Sequence, residues 1–200
     1  MTNHYYSKNP DVESNPSYWE FTLRGKAFRF KTDNGVFSKK EVDFGSRLLI
    51  DTVTEPEVDG PILDVGCGYG PIGLSMAFSF PERAIEMVDV NERAIQLSRE
   101  NAEANRITNV DVYESDVFSQ VKETAYAAIL TNPPIRAGKK VVHEILEKSY
   151  DRLASGGELW VVIQKKQGAP SAMDKMETVF GNVDVAAKKK GYYILVAKKV

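Results

Sequence analysis

Ile62-Leu63-Asp64-Val65-Gly66-Cys67-Gly68-Tyr69-Gly70 is the stretch of sequence that decides the fold. Its first four residues are typical of a buried strand, and the three glycines predict a tight loop that leads into a helix. Side chains in place of the glycines would block the backbone turn and the close approach of a ligand. Pro71 suits the first turn of a helix, whose free N–H groups favour a nucleotide-like cofactor. The stretch therefore predicts a strand, a ligand-binding loop and a helix.

Segments typical of strands and helices alternate along the rest of the chain. Apolar runs predict strands at Pro61–Val65, Ile85–Asp89, Val110–Glu114, Ala127–Thr131 and Glu158–Gln164. The spacing of apolar residues predicts helices at Ile72–Phe80, Glu92–Ala104, Val141–Leu153 and Ala172–Phe180, and a helical pattern from Glu41 to Val53. This order predicts an α/β fold in which a parallel sheet has helices on both faces.

Hairpin patterns lie near both ends of the chain. Trp19–Leu23 and Ala27–Lys31 alternate apolar and polar residues around a turn at Gly25, which predicts a β-hairpin before the main sheet. Val183–Lys189 and Tyr192–Ala197 form a second pair of this kind. The second pair predicts one antiparallel strand in an otherwise parallel sheet.

Composition excludes several classes of protein. The 200 residues are 42% hydrophobic and 27% charged, which supplies one well-buried core. Cys67 is the only cysteine, so an intrachain disulfide and a multi-cysteine metal site are excluded and we expect no metal. No apolar run approaches the length that spans a membrane, and residues 1–20 lack an apolar signal segment. We therefore expect a cytoplasmic protein with no membrane partner.

The net charge of −2 hides an uneven distribution of charge. Residues 61–131 carry 5 Lys and Arg against 11 Asp and Glu, whereas residues 132–200 carry 13 against 7. Pairs and triplets of lysine in the last third can form a surface that faces phosphate groups, or simply a solvated face. Charge alone leaves a nucleic-acid partner open.

Polar residues stand at four successive strand ends, which is where parallel sheets bind ligands. Asp89 ends the second predicted strand, at the distance from the glycine loop where a carboxylate accepts hydrogen bonds from ribose hydroxyls. A helix N-cap is the competing interpretation, and Asn91 is the better candidate for that cap. Asp116 can accept from an adenine amine while Val117 packs against the ring, or can serve a turn. Asp64 can orient the loop, reach a cationic cofactor group or be purely structural.

Asn132-Pro133-Pro134-Ile135 follows the fourth predicted strand and indicates a specific chemistry. Prolines stiffen the backbone and leave carbonyls without a competing N–H. The Asn132 amide oxygen and the Pro133 carbonyl can therefore both accept from one incoming amino group. Two fixed acceptors suit a conjugated NH₂, a poor nucleophile, because they orient its lone pair and stabilise the positive charge that develops during attack.

With these motifs, the chain resembles the class I S-adenosyl-L-methionine-dependent methyltransferases. It looks most like the bacterial guanine-N2 methyltransferases that act on small-subunit ribosomal RNA. The likeness runs from about Gly35 to the end of the chain and includes four further segments, which are Gly35-Val36-Phe37-Ser38, Asp43-Phe44-Gly45-Ser46, Arg136-Ala137-Gly138-Lys139 and Lys165-Lys166-Gln167-Gly168.

The resemblance implies a Rossmann-like, seven-stranded, mostly parallel sheet whose last strand is antiparallel, and a cofactor site. It implies that the cofactor is S-adenosylmethionine and that it contacts Phe37, Ser38, Asp64, Gly66, Gly68, Gly70, Asp89, Asp116, Val117 and Asn132. Asn132 and Pro133 are the implied catalytic residues, and Pro134 and Ile135 are the implied contacts of a base swung out of its stack. The candidates for phosphate contacts are Arg136, Lys139, Lys140, Lys165 and Lys166. The implied partner is ribosomal RNA or the small ribosomal subunit.

Two departures from the family pattern keep alternatives open. Larger members carry a degenerate extra domain, where this chain has only an N-terminal extension with a hairpin (residues 1–34) before the methyltransferase domain (residues 35–200). Ile135 stands where adenine-N6 and protein glutamine-N5 methyltransferases usually have an aromatic residue, which lowers those alternatives.

Gly68, Gly70 and Gly73 also fit the G-x-G-x-x-G pattern of an NAD-dependent dehydrogenase. A non-catalytic RNA-binding assembly factor is the remaining alternative.

Overall fold

The computed structural model describes residues 6–200, so the first five residues of the predicted extension lie outside it. The strands are β1 (Ser17–Leu23), β2 (Lys26–Thr32), β3 (Ile62–Val65), β4 (Ile85–Asp89), β5 (Val110–Glu114), β6 (Tyr126–Thr131), β7 (Leu153–Gln164), β8 (Asp184–Lys189) and β9 (Tyr192–Lys198). The helices are α1 (Phe44–Thr52), α2 (Pro71–Ser79), α3 (Glu92–Ala104), α4 (Lys139–Arg152) and α5 (Ala169–Phe180), with 3-10 turns at Ile135–Ala137 and Lys165–Gln167.

Seven strands form the main sheet in the order β5-β4-β3-β6-β7-β9-β8, and β1 and β2 pair separately. The strands from β3 to β7 run parallel, while β9 is antiparallel to both β7 and β8. The α/β class, the N-terminal hairpin and the reversed last strand are confirmed. Among residues 6–200, no helix is long and apolar enough to cross a membrane.

The register of β3 with its two neighbours positions the site. Val65, the last residue of β3, is paired with Val88 on one side and Thr131 on the other. Strand order reverses between these neighbours, so the crevice at the strand ends opens here. The residues that follow the paired positions, Gly66, Asp89 and Asn132, therefore emerge side by side.

The start of β7 differs from its prediction. The sequence pattern begins the strand at Glu158, but the structure begins it at Leu153, immediately after α4. Gly156 and Gly157 read as a loop in the sequence. In the structure Gly156 N–H donates to the Lys199 carbonyl, and Lys199 N–H donates to the Gly157 carbonyl. The end of the chain therefore extends the strand, through a pairing that no local pattern reveals.

Asn101 in α3 and Asn105, the C-cap of that helix, join the N-terminal hairpin to the main body. The side chain of Asn101 accepts from Lys31 N–H at 2.7 Å and donates to the Lys31 carbonyl at 3.0 Å, and Asn105 does the same at Arg29. These side-chain amides form hydrogen bonds with backbone N–H and C=O groups at the edge of β2, as a neighbouring strand would. Because Phe28 and Phe30 are buried in the same apolar cluster as α2 and α3, the hairpin shares the main core. The boundary between residues 34 and 35 stays a prediction.

Close packing of α2 on β4 makes Gly73 a sensitive position. A Cβ at Gly73 would lie 2.6 Å from Cγ and 2.7 Å from Sδ of Met87, which is fully buried. Alanine normally stabilises a helix by about 1 kcal/mol relative to glycine, whereas overpacking a core costs about 1–3 kcal/mol. The steric cost should exceed the helical gain here.

We expect Gly73→Ala to lower the free energy of unfolding by about 1–2 kcal/mol, because the added methyl group overpacks the core at Met87. Urea-induced unfolding followed by circular dichroism measures this change. Ser79→Ala, at the last residue of the same helix, is the matched control and should leave the midpoint nearly unchanged. A more stable Gly73→Ala protein would contradict the packing argument.

Candidate active site

A cavity of about 290 Å³ opens at the carboxyl ends of β3, β4 and β6. Ten of the residues predicted for the site line it, namely Phe37, Gly66, Gly68, Asp89, Val117, Asn132, Pro133, Pro134, Ile135 and Arg136. The cavity thus brings the glycine loop and the Asn-Pro-Pro segment into one space, although 66 positions separate Gly66 from Asn132 in the sequence.

The glycine loop presents its main chain to this cavity. Gly66 and Gly68 have φ angles of +76° and +57°, and a Cβ at either position would meet no protein atom within 4 Å. Other residues rarely adopt this conformation, and the space beside the backbone stays open to a ligand. Gly70 differs, because its Cβ would meet Leu74, Met87 and Ser98 at 3.0–3.1 Å. Gly70 therefore serves helix packing and does not line the cavity.

Asp64 lies beneath the loop and does not line the cavity. It is only 1% exposed, and its Oδ2 accepts from Gly73 N–H at 2.9 Å, so it caps the start of α2 from below. This bond uses one of the helix N–H groups that the sequence left free for a ligand. Oδ1 has no hydrogen-bond partner among residues 6–200, and burial raises the pKa of the carboxyl group to about 7.

Asp89 faces the cavity and also holds the loop. Its carboxylate accepts from Gly68 N–H at 2.8 Å and from Asn91 N–H at 2.9 Å. Asn91 is the N-cap of α3, since its side chain accepts from Arg93 N–H and Ala94 N–H, as predicted. Burial raises the pKa of Asp89 above its usual range, although the backbone bonds act in the opposite direction. Each carboxylate oxygen keeps a lone pair for a ligand hydroxyl.

The turn after β5 contributes a strained residue. Val117 is buried against the cavity with a φ of +52°, a conformation that is rare for a β-branched residue. The Ser115 hydroxyl holds the turn by donating to the Val117 carbonyl. Asp116 lies outside the cavity, where its Oδ1 accepts from the Tyr6 hydroxyl at 3.0 Å. Tyr6 itself lines the cavity, which nothing in the sequence indicated.

Two neighbours fix the orientation of the Asn132 amide. Its Nδ2 donates to Asp43 Oδ2 at 3.2 Å and to Ser46 Oγ at 3.0 Å. Asp43 in turn caps α1 by accepting from Ser46 N–H at 3.0 Å. Both amide hydrogens of Asn132 therefore have acceptors. Its Oδ1 accepts no hydrogen bond from residues 6–200, so this oxygen remains free for a ligand.

The segment after Asn132 frees a second acceptor. The 3-10 turn uses the carbonyls of Pro134 and Ile135, which accept from Ala137 N–H and Gly138 N–H. The carbonyl of Pro133 accepts no hydrogen bond from the described part of the chain. Two acceptors, Asn132 Oδ1 and Pro133 O, therefore stand on adjacent residues at the wall of the cavity.

The remaining predicted residues lie near the cavity without lining it. Ser38 has a φ of +54° and donates its hydroxyl to the Glu41 carbonyl at 2.6 Å, so it shapes the loop that carries Phe37. Lys139 and Lys140 are exposed at the start of α4. Lys165 and Lys166 are exposed in the 3-10 turn that follows Gln164.

Sequence reasoning missed several residues that complete the site. Asp43 and Ser46, which orient Asn132, are in a segment that was noted only for its resemblance, although an Asp before a helical pattern is an N-cap signal. Tyr69, Gln164, Gln167 and Tyr192 also line the cavity. They come from three separate places in the chain, so only the fold assembles them.

The model of the methyltransferase small domain family matches residues 27–196. This chain belongs to that family. The match spans the glycine loop, the Asn-Pro-Pro segment, six strands of the main sheet and most of the seventh, β9. It excludes the dehydrogenase interpretation, in agreement with Gly70 being packed against side chains.

Relatives of the chain extend this result. The chain is 66% identical to YbxB, an uncharacterized protein of Bacillus subtilis, over the full length of both. It is 37% identical to ribosomal RNA small subunit methyltransferase C of Vibrio cholerae, across 94% of this chain and 55% of that protein. A solved structure of Thermus thermophilus 16S rRNA N2 G1207 methyltransferase (RsmC), in complex with AdoMet and guanosine, superimposes with a TM-score of 0.83 at 26% identity. That alignment covers 96% of this chain and 52% of the other, so this chain spans about half the length of these two methyltransferases.

The residues of the cavity fit S-adenosylmethionine, the cofactor of this family. The open space above Gly66 and Gly68 is a cradle that a Cβ would fill. The Asp89 carboxylate faces the same space and suits the hydroxyls of a ribose. The open cradle and this carboxylate therefore match the methionine part and the ribose of the cofactor.

The raised pKa of Asp64 predicts a pH dependence of stability. A carboxyl group with a pKa of about 7 in the folded chain binds its proton more tightly than in the unfolded chain, where the value is about 3.9. The free energy of unfolding should therefore fall as pH rises from about 4 to about 7. Asp64→Asn, which resembles the protonated group, should flatten this slope in cofactor-free protein. Urea midpoints across that range measure it, and exposed Asp51→Asn is the control that should keep the wild-type slope.

Proposed function

We propose that this protein transfers a methyl group from S-adenosylmethionine to the exocyclic N2 amine of a guanine in ribosomal RNA. The observation that carries the proposal is the pair of free acceptors, Asn132 Oδ1 and Pro133 O, in the same cavity as the glycine loop. Methyltransferases that modify an exocyclic amine need such acceptors at the reacting nitrogen, because the lone pair of that nitrogen is delocalised into the ring.

The cofactor would be held by residues of three strand ends. Main chain at Gly66 and Gly68 takes the methionine part, Asp89 takes the ribose hydroxyls, and Val117 packs against the adenine. Asp116, which lies outside the cavity, accepts from the hydroxyl of Tyr6 and so helps to hold Tyr6 at the cavity wall. Phe37, which is half exposed and lines the cavity, covers the site together with Tyr6. When bound, S-adenosylmethionine supplies a methyl group on a positively charged sulfur, which leaves as a neutral thioether. Asp64, Gly70 and Ser38 would act by supporting the loops that make these contacts.

Asn132 and Pro133 would prepare the substrate amine for attack. Each oxygen accepts one N–H of the amine, which turns the nitrogen lone pair toward the open part of the cavity. As positive charge develops on the nitrogen, the two fixed oxygens stabilise it without having to reorient. The alkylated nitrogen is acidic, so its extra proton leaves along one of these hydrogen bonds to water, and no strong base is required.

The relatives and the shape of the cavity favour guanine over adenine or glutamine. The two methyltransferases described above are named for small-subunit or 16S rRNA, and the name of one specifies N2 of a guanosine. Ile135 leaves an aliphatic wall where a stacked aromatic residue is expected for the alternatives. Arg136 reaches the cavity, and Lys139, Lys140, Lys165 and Lys166 flank it, so we propose phosphate contacts for this group.

The decisive experiment locates the modified base. Small ribosomal subunits and naked rRNA are prepared from a strain that lacks the protein. They are incubated with the purified protein and labelled S-adenosylmethionine, and the labelled nucleoside is identified by mass spectrometry. We expect N2-methylguanosine at one position. Label on adenine N6 or on a protein glutamine would overturn the guanine assignment. Absence of label would overturn the proposal that this protein methylates ribosomal RNA.

Asn132→Ala tests the role of the amide acceptor. We expect kcat for methyl transfer to fall by about 100-fold or more, because an acceptor that acts at the developing charge is lost. The dissociation constant for S-adenosylmethionine, measured by calorimetry, should change little. Asn182→Ala, which lies at the far end of the sheet, is the control and should retain wild-type kcat. Unchanged transfer in Asn132→Ala would show that another group holds the amine.

Ser46→Ala tests whether orientation of that amide matters. Loss of one hydrogen bond to Nδ2 lets the amide turn, so we expect kcat to fall about tenfold, the equivalent of roughly 1.4 kcal/mol. The same change should have no further effect in the Asn132→Ala background, because the two residues act as one unit. Additive losses in the double variant would contradict the positioning role.

A further inference from the structure

An aromatic and basic surface continues from the cavity toward the β8–β9 turn. The rim patch consists of Phe44 and Arg47 on α1, Lys190 at the turn, and Tyr192 on β9. The rings of Phe44 and Tyr192 have centroids 5.5 Å apart. Lys190 Nζ lies 4.7 Å from the centroid of Phe44, and the Arg47 guanidinium carbon lies 5.4 Å from it. Two cations thus converge on one ring of this pair, whose planes are tilted by 51° to each other.

The cations of the rim patch are unpaired. Many basic side chains of this protein contact carboxylates, as Lys31 does with Glu100 and Lys198 with Glu57. Within residues 6–200, neither Arg47 nor Lys190 forms a salt bridge, and the buried Nε of Arg47 has no hydrogen-bond partner. Their positive charge is therefore available to a ligand, and the rings beneath them hold them in place.

The rim patch is continuous with the cavity. Tyr192 lines the cavity and pairs across the sheet with Gln164, which lines it too. A Cβ at Gly45 would lie 2.7 Å from the Tyr192 ring, so α1 packs directly on this tyrosine. Lys165 N–H donates to the Gly191 carbonyl at 2.9 Å, which places Lys165 beside the turn that carries Lys190.

We infer that the rim patch binds the single-stranded RNA that flanks the target nucleotide. This inference rests on the proposed function, and it assigns to the RNA residues outside the cavity. A base unstacked from its strand leaves neighbours exposed, and single-stranded RNA is held by aromatic faces for its bases and by cations for its phosphates. Phe44 and Tyr192 supply the aromatic faces, and Arg47 and Lys190 supply the cations. The net charge of +6 over residues 132–200 matches a polyanionic occupant.

Direct RNA binding tests the inference separately from catalysis. The probe is a fluorescein-labelled single-stranded RNA oligonucleotide, whose binding to the full chain with S-adenosylmethionine is measured by anisotropy over a range of salt concentrations. For Lys190→Gln we expect binding to weaken about 3- to 10-fold and the slope of log K against log salt to become shallower by about 0.7, because one phosphate contact is lost. For Phe44→Ala we expect binding to weaken about 5- to 100-fold with the salt slope unchanged, because stacking is lost.

Matched controls are taken from outside both the rim patch and the residues that line the cavity. Lys122→Gln removes an exposed lysine before β6, and Phe78→Ala removes a partly exposed phenylalanine at the end of α2. Both controls should bind RNA as the wild type does, and all four variants should keep its affinity for S-adenosylmethionine and its unfolding midpoint within a few degrees. Equal RNA affinity in wild type, Lys190→Gln and Phe44→Ala would overturn the inference, as would a wild type that does not bind the RNA. Wild-type protein that binds RNA through the patch but never labels it would leave the inference standing and overturn the proposed function.

Discussion

The hydrogen-bond ladder of β3 with β4 and β6 is the constraint on which the rest of the structure depends. Parallel pairing of Val65 with Val88 and Thr131 fixes where three chain segments leave the sheet. A shift by one residue in either ladder would turn the side chains of that strand to the other face and would separate the glycine loop from Asn132. The chemistry of the cavity is therefore set by backbone pairing before any side chain makes a contact.

Around this edge, some residues only support those that face the ligand, while others do both. Asp64 supports the glycine loop from below, whereas Asp89 and Ser46 line the cavity and also hold Gly68 and Asn132 in place. The supporting contacts are mostly hydrogen bonds that side-chain oxygens accept from backbone N–H groups or from the side-chain amide of Asn132. Such bonds remove the alternatives open to a loop, so the site is organised before a ligand arrives. The costs remain visible in the strained backbone of Val117 and in the raised pKa of Asp64.

The two sides of the cavity also differ in charge. The strands before the Asn-Pro-Pro segment belong to an acidic region, whose carboxylates suit a cofactor with a ribose and an ammonium group. The segments after it, including Lys190 and Tyr192 of the rim patch, belong to a basic region that suits an RNA strand. The same edge of the sheet can thus bring together a cofactor that suits acidic surroundings and an RNA strand that suits basic ones.

The sequence by itself determined the α/β class, the order of strands and helices, the reversed last strand and ten residues of the cavity wall, because glycine loops, apolar periodicity and N-caps are local signals. Only the tertiary structure decided that Asp64 lies below the loop, that Tyr6 covers Asp116, and that Asp43 and Ser46 orient Asn132. It also decided the early start of β7. Each of these depends on contacts between residues far apart in the chain, and such contacts are fixed by strand register and packing, which leave no local trace in the sequence.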